Sequence, residues 1–280
     1  MKNVEKFGLP QEVQRNVFST YQVPTEIVDL PSCGKLYPQD HPLKDVSSIE
    51  IKYMTTREED ILVSPSLNEK GIAIDRVLES LVVSHKINGA SLIPGDKTAI
   101  LIAARKSAYG SEYTFKSICP VCSTINEIES SIDDVKVKDL KEDDNSFYRD
   151  GNIVIVLPKT EEVVEMKILT SEDEKSIEET ISRKIKNNLP AEELLTRYRK
   201  MIISVNSSYE TQDIIHFINN LGIANSRFLK KKYAEMLPNV EFNYSHSCKN
   251  CGNTMEGGVP IGGNFFWPDV WFHKVKTRRR

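Results

Sequence analysis

Cys119-Pro-Val-Cys122 and Cys248-Lys-Asn-Cys251 hold four of the five cysteines in the chain. A CxxC loop turns two thiolates toward one point, and two such loops complete a closed tetrahedral S4 site with no position left for substrate. The pattern therefore predicts one structural Zn2+ per chain, bound by Cys119, Cys122, Cys248 and Cys251. An iron-sulfur cluster would accept the same four thiolates. A thioredoxin-like redox pair would need one CxxC and leave the other unexplained. A disulfide framework would need an oxidising compartment, yet Met1-Lys-Asn-Val-Glu-Lys-Phe7 is not followed by the apolar run of a secretory signal. The fifth cysteine, Cys33, reads as an ordinary buried or half-buried thiol. His246 stands two residues before Cys248 and is an available substitute ligand, but four cysteines already fill the shell.

Both pairs interrupt alternating sequence. Glu112-Tyr-Thr-Phe-Lys-Ser-Ile118 leads into the first, and Thr124-Ile-Asn-Glu-Ile-Glu129 leads out. Val240-Glu-Phe-Asn-Tyr-Ser-His-Ser247 and Gly252-Asn-Thr-Met-Glu-Gly-Gly258 flank the second. Each half reads as strand, knuckle, strand. The expected architecture is α+β, a zinc-ribbon-like four-cysteine β module interrupted by a mainly helical insert, with N-terminal helices and an extended N-terminal arm. Its divisions are an arm over residues 1–48, a strand plus helical region over 49–110, the first half of the ribbon over 111–137, and the insert over 138–239. The second half of the ribbon with an aromatic segment follows over 240–272, then a basic tail over 273–280.

Within the first region, Ile49-Glu-Ile-Lys-Tyr-Met54 alternates as a strand, and Thr56 with Glu59 fits a capping box. Carboxylates 58–60 suit a first helical turn without any catalytic role. Ile74, Val77, Leu78, Leu81 and Val82 fall on one face of a helix beginning near Ile72, with His85 near its end, and a second helix is predicted over residues 97–109 after a Pro94-Gly-Asp96 turn. In the insert, residues 153–157 and 163–169 read as strands, and Ser171 with Glu174 opens a helix to about 188. Further helices are predicted from Pro190 to about 205, over 213–221 and over 224–237.

At 280 residues the chain can bury a substantial core, and no stretch approaches the roughly 18 apolar residues of a membrane span. That predicts a soluble protein. A net charge of -3 lacks the basic excess of a general nucleic-acid binder. The dense basic run Lys274-Val-Lys-Thr-Arg-Arg-Arg280 reads as a solvated tail or as a docking arm for an acidic partner. No phosphate-binding glycine loop, GxSxG or HExxH occurs, and His41, His85, His216, His246 and His273 are scattered, so the expectation is a protein that is not an enzyme.

Asn264-Phe-Phe-Trp-Pro-Asp-Val-Trp-Phe272 contains both tryptophans of the chain. So much aromatic area implies docking, either within the chain or onto a partner through Phe265, Phe266, Trp267 and Trp271.

Several segments together resemble the T4-type phage baseplate hub and hub-assembly proteins: Leu30-Pro-Ser-Cys-Gly-Lys-Leu-Tyr-Pro38, Tyr53-Met-Thr-Thr-Arg-Glu-Glu-Asp-Ile-Leu62, Gly95-Asp-Lys-Thr-Ala-Ile-Leu-Ile-Ala-Ala-Arg105 with Tyr109-Gly110, Cys119-Pro-Val-Cys122, Asn225-Ser-Arg227 and Phe265-Phe-Trp-Pro268. The resemblance implies a non-enzymatic protein of a contractile-tailed bacteriophage, a hub component or a hub-assembly factor. It implies other tail and baseplate proteins as partners, among them the central hub and the tape-measure protein, and a location in host cytoplasm during assembly and in the virion tail baseplate. Zinc rests on the two CxxC pairs and not on the resemblance. A zinc-ribbon regulator that binds nucleic acid is the alternative.

Overall fold

The computed structural model describes residues 22–138, 140–261 and 265. Residues 1–21 of the predicted arm, the partner-contact candidates Phe266, Trp267 and Trp271, and the basic tail lie outside the described residues. The described chain is α+β, with small antiparallel sheets and helices sharing one buried apolar cluster.

β1 (Thr25–Asp29) pairs with β2 (Ser48–Lys52), closing the turns that carry the Pro-Ser-Cys-Gly segment. Cys33 is exposed there, against the expectation of burial. It takes φ 49 beside Gly34 at φ 70, and this tight reversal points its side chain outward while Ser32 and Gly34 face in. α1 (Thr56–Val63), α2 (Pro65–Glu69) and α3 (Ala73–Leu81) follow. The capping box of α1 is Thr55 with Glu58, one residue before the predicted pair. α3 ends at Leu81, so His85 lies beyond it, hydrogen-bonded to Ser84.

α4 runs Pro94–Tyr109. Pro94 sits in its first turn, where a missing N–H costs nothing, so the predicted 94–96 turn is the helix start. Gly110 at φ 82 ends it. The first turn of α4 engages distant segments at successive residues. Gly95 lies so close to Pro238 that a Cβ there would come within 2.1 Å of its carbonyl oxygen. Asp96, fully buried, accepts from the Ser32 amide at 2.9 Å and hydroxyl at 2.5 Å. Lys97 reaches both Asp75 and Ser171.

β3 (Glu112–Ile118) and β4 (Ile125–Ser131) form the first hairpin; β11 (Asn243–Ser247) and β12 (Thr254–Gly258) form the second. Between them come β5 (Lys136–Lys138), paired with β10 (Asn239–Glu241), and a sheet in the order β6-β7-β8-β9 from Ser146–Arg149, Asn152–Val156, Val163–Met166 and Ile202–Val205. The insert helices are α5 (Ser171–Lys186), α6 (Glu193–Met201), α7 (Thr211–Asn220) and α8 (Ile223–Met236). α8 packs on β6 and β7, and Ile153, Val154 and Ile155 are buried in succession, so both faces of β7 are covered. The helix predicted from 190 to 205 instead stops at Met201, and Ile202-Ile-Ser-Val205 pairs with β8. α5 opens on Thr170 and Asp173 in place of Ser171 and Glu174.

Candidate metal centre

Each CxxC sits at the tip of a hairpin closed in the same way. In the first, the Cys119 amide donates to the Thr124 carbonyl at 2.9 Å and the Ser123 amide to the Cys119 carbonyl at 2.9 Å. In the second, the Cys248 amide donates to Asn253 at 2.8 Å and the Gly252 amide to Cys248 at 2.9 Å. Ser123 and Gly252 both take the left-handed conformation the turn requires, at φ 58 and 71. A shift of 129 residues, the separation of Asn126 and Met255, superposes the two registers: Ile118 opposite Ile125 becomes Ser247 opposite Thr254. The two CxxC hairpins are thus copies of one hairpin facing each other.

The four Sγ atoms lie within 4.8 Å of one another. Cys119 to Cys251 is 3.7 Å and Cys122 to Cys248 is 3.6 Å, a pair of distances that the shift interchanges. A disulfide would need about 2.05 Å. A tetrahedral ion with metal–sulfur bonds of about 2.3 Å spaces its sulfurs about 3.8 Å apart. The donor set therefore fits a metal ion with little movement. All four predicted ligands are brought together here, and His246 pairs with Met255 in the second hairpin while the four cysteines form the cage.

Local donors favour the ligating form of the thiols. The Thr124 hydroxyl and amide, with the Asn250 side chain, pull the Cys122 pKa down to about 5. The amides of Cys251 and Asn250 lower that of Cys248. At Cys251 the Asn253 amide also favours the thiolate, but the sulfur of Cys122, burial and the other two sulfurs together push its pKa up to about 12. Four converging sulfurs repel a full set of negative charges, which a central cation relieves.

Asn126, fully buried, is the site residue that sequence reasoning missed. Its amide nitrogen lies 3.5 Å from Cys248 Sγ and 3.0 Å from the Thr124 carbonyl, and its Oδ1 accepts from the Lys249 amide at 3.0 Å. It therefore holds the second knuckle from the first. Its one legible signal was a polar residue at an inward position of the alternating strand.

Phe265 is 1% exposed and packs edge-on to Tyr113 at 5.0 Å. The Arg105 guanidinium lies 5.6 Å from the Phe265 ring, 5.6 Å from Tyr113 and 5.3 Å from Tyr109, while donating to the carbonyls of Gly110 and Glu112 at 3.0 Å each. Other residues of the family-like segments meet in the same manner. Glu58 binds Lys52 and Ser80, and the Ser226 hydroxyl lies 2.8 Å from the buried Tyr198 hydroxyl.

No helix among the described residues is long and apolar enough to cross a membrane. No significant match was found among curated proteins or among solved structures. The family model described as T4 bacteriophage base plate protein matches residues 23–267. That span takes in both hairpins, the insert between them and Phe265, so the chain belongs to the T4 bacteriophage base plate protein family.

Proposed function

We propose that this baseplate protein is a non-enzymatic hub component or hub-assembly factor, built as a zinc ribbon around one structural Zn2+ held by Cys119, Cys122, Cys248 and Cys251. The observation that carries the reading is the family match over residues 23–267. Supporting it, the residues of the family-like segments are engaged in the fold: Ser32 with Asp96, Glu58 with Lys52, Gly95 against Pro238, and Arg105 among three aromatic rings. Residues 111–137 and 240–272 form the ribbon and its aromatic extension, and 138–239 presents a second surface. Phe265 anchors the extension from within, and Phe266, Trp267 and Trp271 meet other tail proteins, the central hub and the tape-measure protein among them.

Mass spectrometry of purified virions beside infected-cell extract tests the role. Presence in the particle identifies a component of the virion; presence in the extract alone identifies an assembly factor. If the chain associates with no tail protein in either, the reading fails. Elemental analysis of purified protein should give one zinc per chain, and chelation should open the hairpin tips, because closed structural sites contribute directly to folding free energy.

A further inference from the structure

The two ribbon hairpins provide an internal control. At the tip of the first, Ile118 is 65% exposed, Val121 67% and Ile125 56%. The equivalent positions of the second are Ser247, Asn250 and Thr254, all exposed and polar. Both tips make the same turn with the same backbone hydrogen bonds. Knuckle geometry therefore does not require three large apolar residues, and their presence on the first tip calls for something that covers them.

The rest of this outer face is acidic. Behind the tip, Lys116 stands opposite Glu127 and Thr114 opposite Glu129, with Glu112 next along β3. The three carboxylates are exposed, and none of them joins an ion pair among the described residues. On the second hairpin the corresponding residues of the outer face are Glu241, Asn243, Ser245, Glu256 and Gly258, so both faces are acidic and it is the apolar tip that sets the first apart. The complementary occupant carries a large apolar group followed by closely spaced cations. Residues 266–280 have that composition, with Trp271 and Phe272 followed by Lys274, Lys276, Arg278, Arg279 and Arg280.

Their attachment point is on the same hairpin. Phe265 is fixed against Tyr113 of β3. From Tyr113 to Ile118 is roughly 17 Å along a strand. Residues 266–271 in extended form span about 20 Å. Tyr113 faces the buried side of β3 and Ile118 the exposed side, so the segment rounds the edge of the hairpin; nearly full extension and the length of the indole bring Trp271 to the tip, and a reversal after it returns the cations over Glu127 and Glu129.

We propose that residues 266–280 fold back onto the outer face of the β3–β4 hairpin of the same chain, with Trp271 covering Ile118, Val121 and Ile125 and the basic run meeting Glu112, Glu127 and Glu129. The aromatic segment is then held on its own ribbon in the free protein, and a tail partner that takes Trp271 uncovers the apolar tip. This goes beyond the baseplate role, and its test needs no virion.

Both tryptophans of the chain lie in this segment, so the full-length protein carries its own probe. With Trp267→Phe as background, Trp271 is the sole indole. Its emission should be blue-shifted from free N-acetyltryptophanamide, and acrylamide should quench it several-fold less. Replacing the tip with its counterparts from the second hairpin, Ile118→Ser with Val121→Asn and Ile125→Thr, should return both readings to free-indole values while zinc content is retained. Val121→Asp alone, at a solvent-open position, should move them in the same direction should the triple variant fold poorly. Free-indole behaviour in the starting protein overturns the proposal, as does shielding that survives the tip replacement in a zinc-loaded variant. Shielding should also be independent of protein concentration; loss on dilution would place the segment on a second copy and overturn the fold-back.

Discussion

Phe115 and Tyr244 occupy the same place in the two CxxC hairpins, and their rings meet edge to face at 5.0 Å. The Tyr244 hydroxyl lies 3.0 Å from Ser117 Oγ, so the contact has an apolar and a polar part. Gly257 leaves room for it, since a Cβ there would come within 3.4 Å of the tyrosine ring. The hairpins are thus joined by a matched pair of aromatic residues in addition to the cysteine cage.

Phe115→Ala should destabilise the metal-loaded protein by roughly 3–5 kcal/mol, the usual cost of emptying a phenylalanine site. Tyr244→Phe keeps the ring and loses the hydroxyl contact, for about 1 kcal/mol. Urea denaturation at fixed zinc measures both. Equal midpoints for Phe115→Ala and wild type would show that the metal alone joins the halves.

Asn126→Ala removes the amide that lies beside Cys248 and the acceptor of the Lys249 N–H. Residues that orient ligands in this way typically contribute 10–100-fold to metal affinity. Asn126→Asp should be worse, because it adds a negative charge beside thiolates. Competition against a chromogenic chelator gives the affinity; a value within twofold of wild type for both variants would exclude the positioning role.

Glu58 governs part of the acid response. Its burial alone would raise its pKa, but Lys52, Ser80 and Thr55 bind the carboxylate and bring it down to about 2 from 4.5. Because the folded value lies below the unfolded one, the stabilisation is present above about pH 4.5 and is lost as pH falls toward 2. Linkage puts it on the order of 3 kcal/mol. Asp96 runs the other way: burial raises its pKa against the hydrogen bonds of Ser32 and Tyr37, so its contribution declines as pH rises. Glu58→Gln should flatten the fall in urea midpoint between pH 5 and pH 2, and an unaltered slope would remove Glu58 as its source.

Gly95→Ala places a methyl group 2.1 Å from the Pro238 carbonyl oxygen, where backbone and not a flexible side chain must yield. The loss should exceed the roughly 1–3 kcal/mol of ordinary overpacking. Gly110→Ala puts its Cβ in open space, and its cost comes only from the positive φ. Thermal melts of the two should therefore differ, and equal Tm values would contradict the close approach.

The four-cysteine cluster and the four strands that flank it were legible in the sequence because a spaced cysteine pattern and a period of two are both local. The capping boxes were legible only in kind. Thr55-Thr56 before Glu58-Glu59 admits two registers, and the choice is made by Lys52 and Ser80, which are not adjacent to that box in sequence. Likewise Lys167 binds Asp173 and fixes the start of α5. Ile202–Val205 continued a helical pattern and became a strand because β8 offers it a partner. Asn126 gave only a weak signal, since an inward polar residue acquires its role from a sulfur 122 positions away.

Three consecutive residues in the first turn of α4, Gly95 to Lys97, touch the turn at Ser32, the first turn of α3, the start of α5 and the residue before β10. The amino-terminal turns therefore meet the insert through this helical turn as well as at Leu36 beside Gly151. Emptying the cysteine cage should therefore leave these contacts in place, whereas a substitution in that turn should loosen several distant segments together.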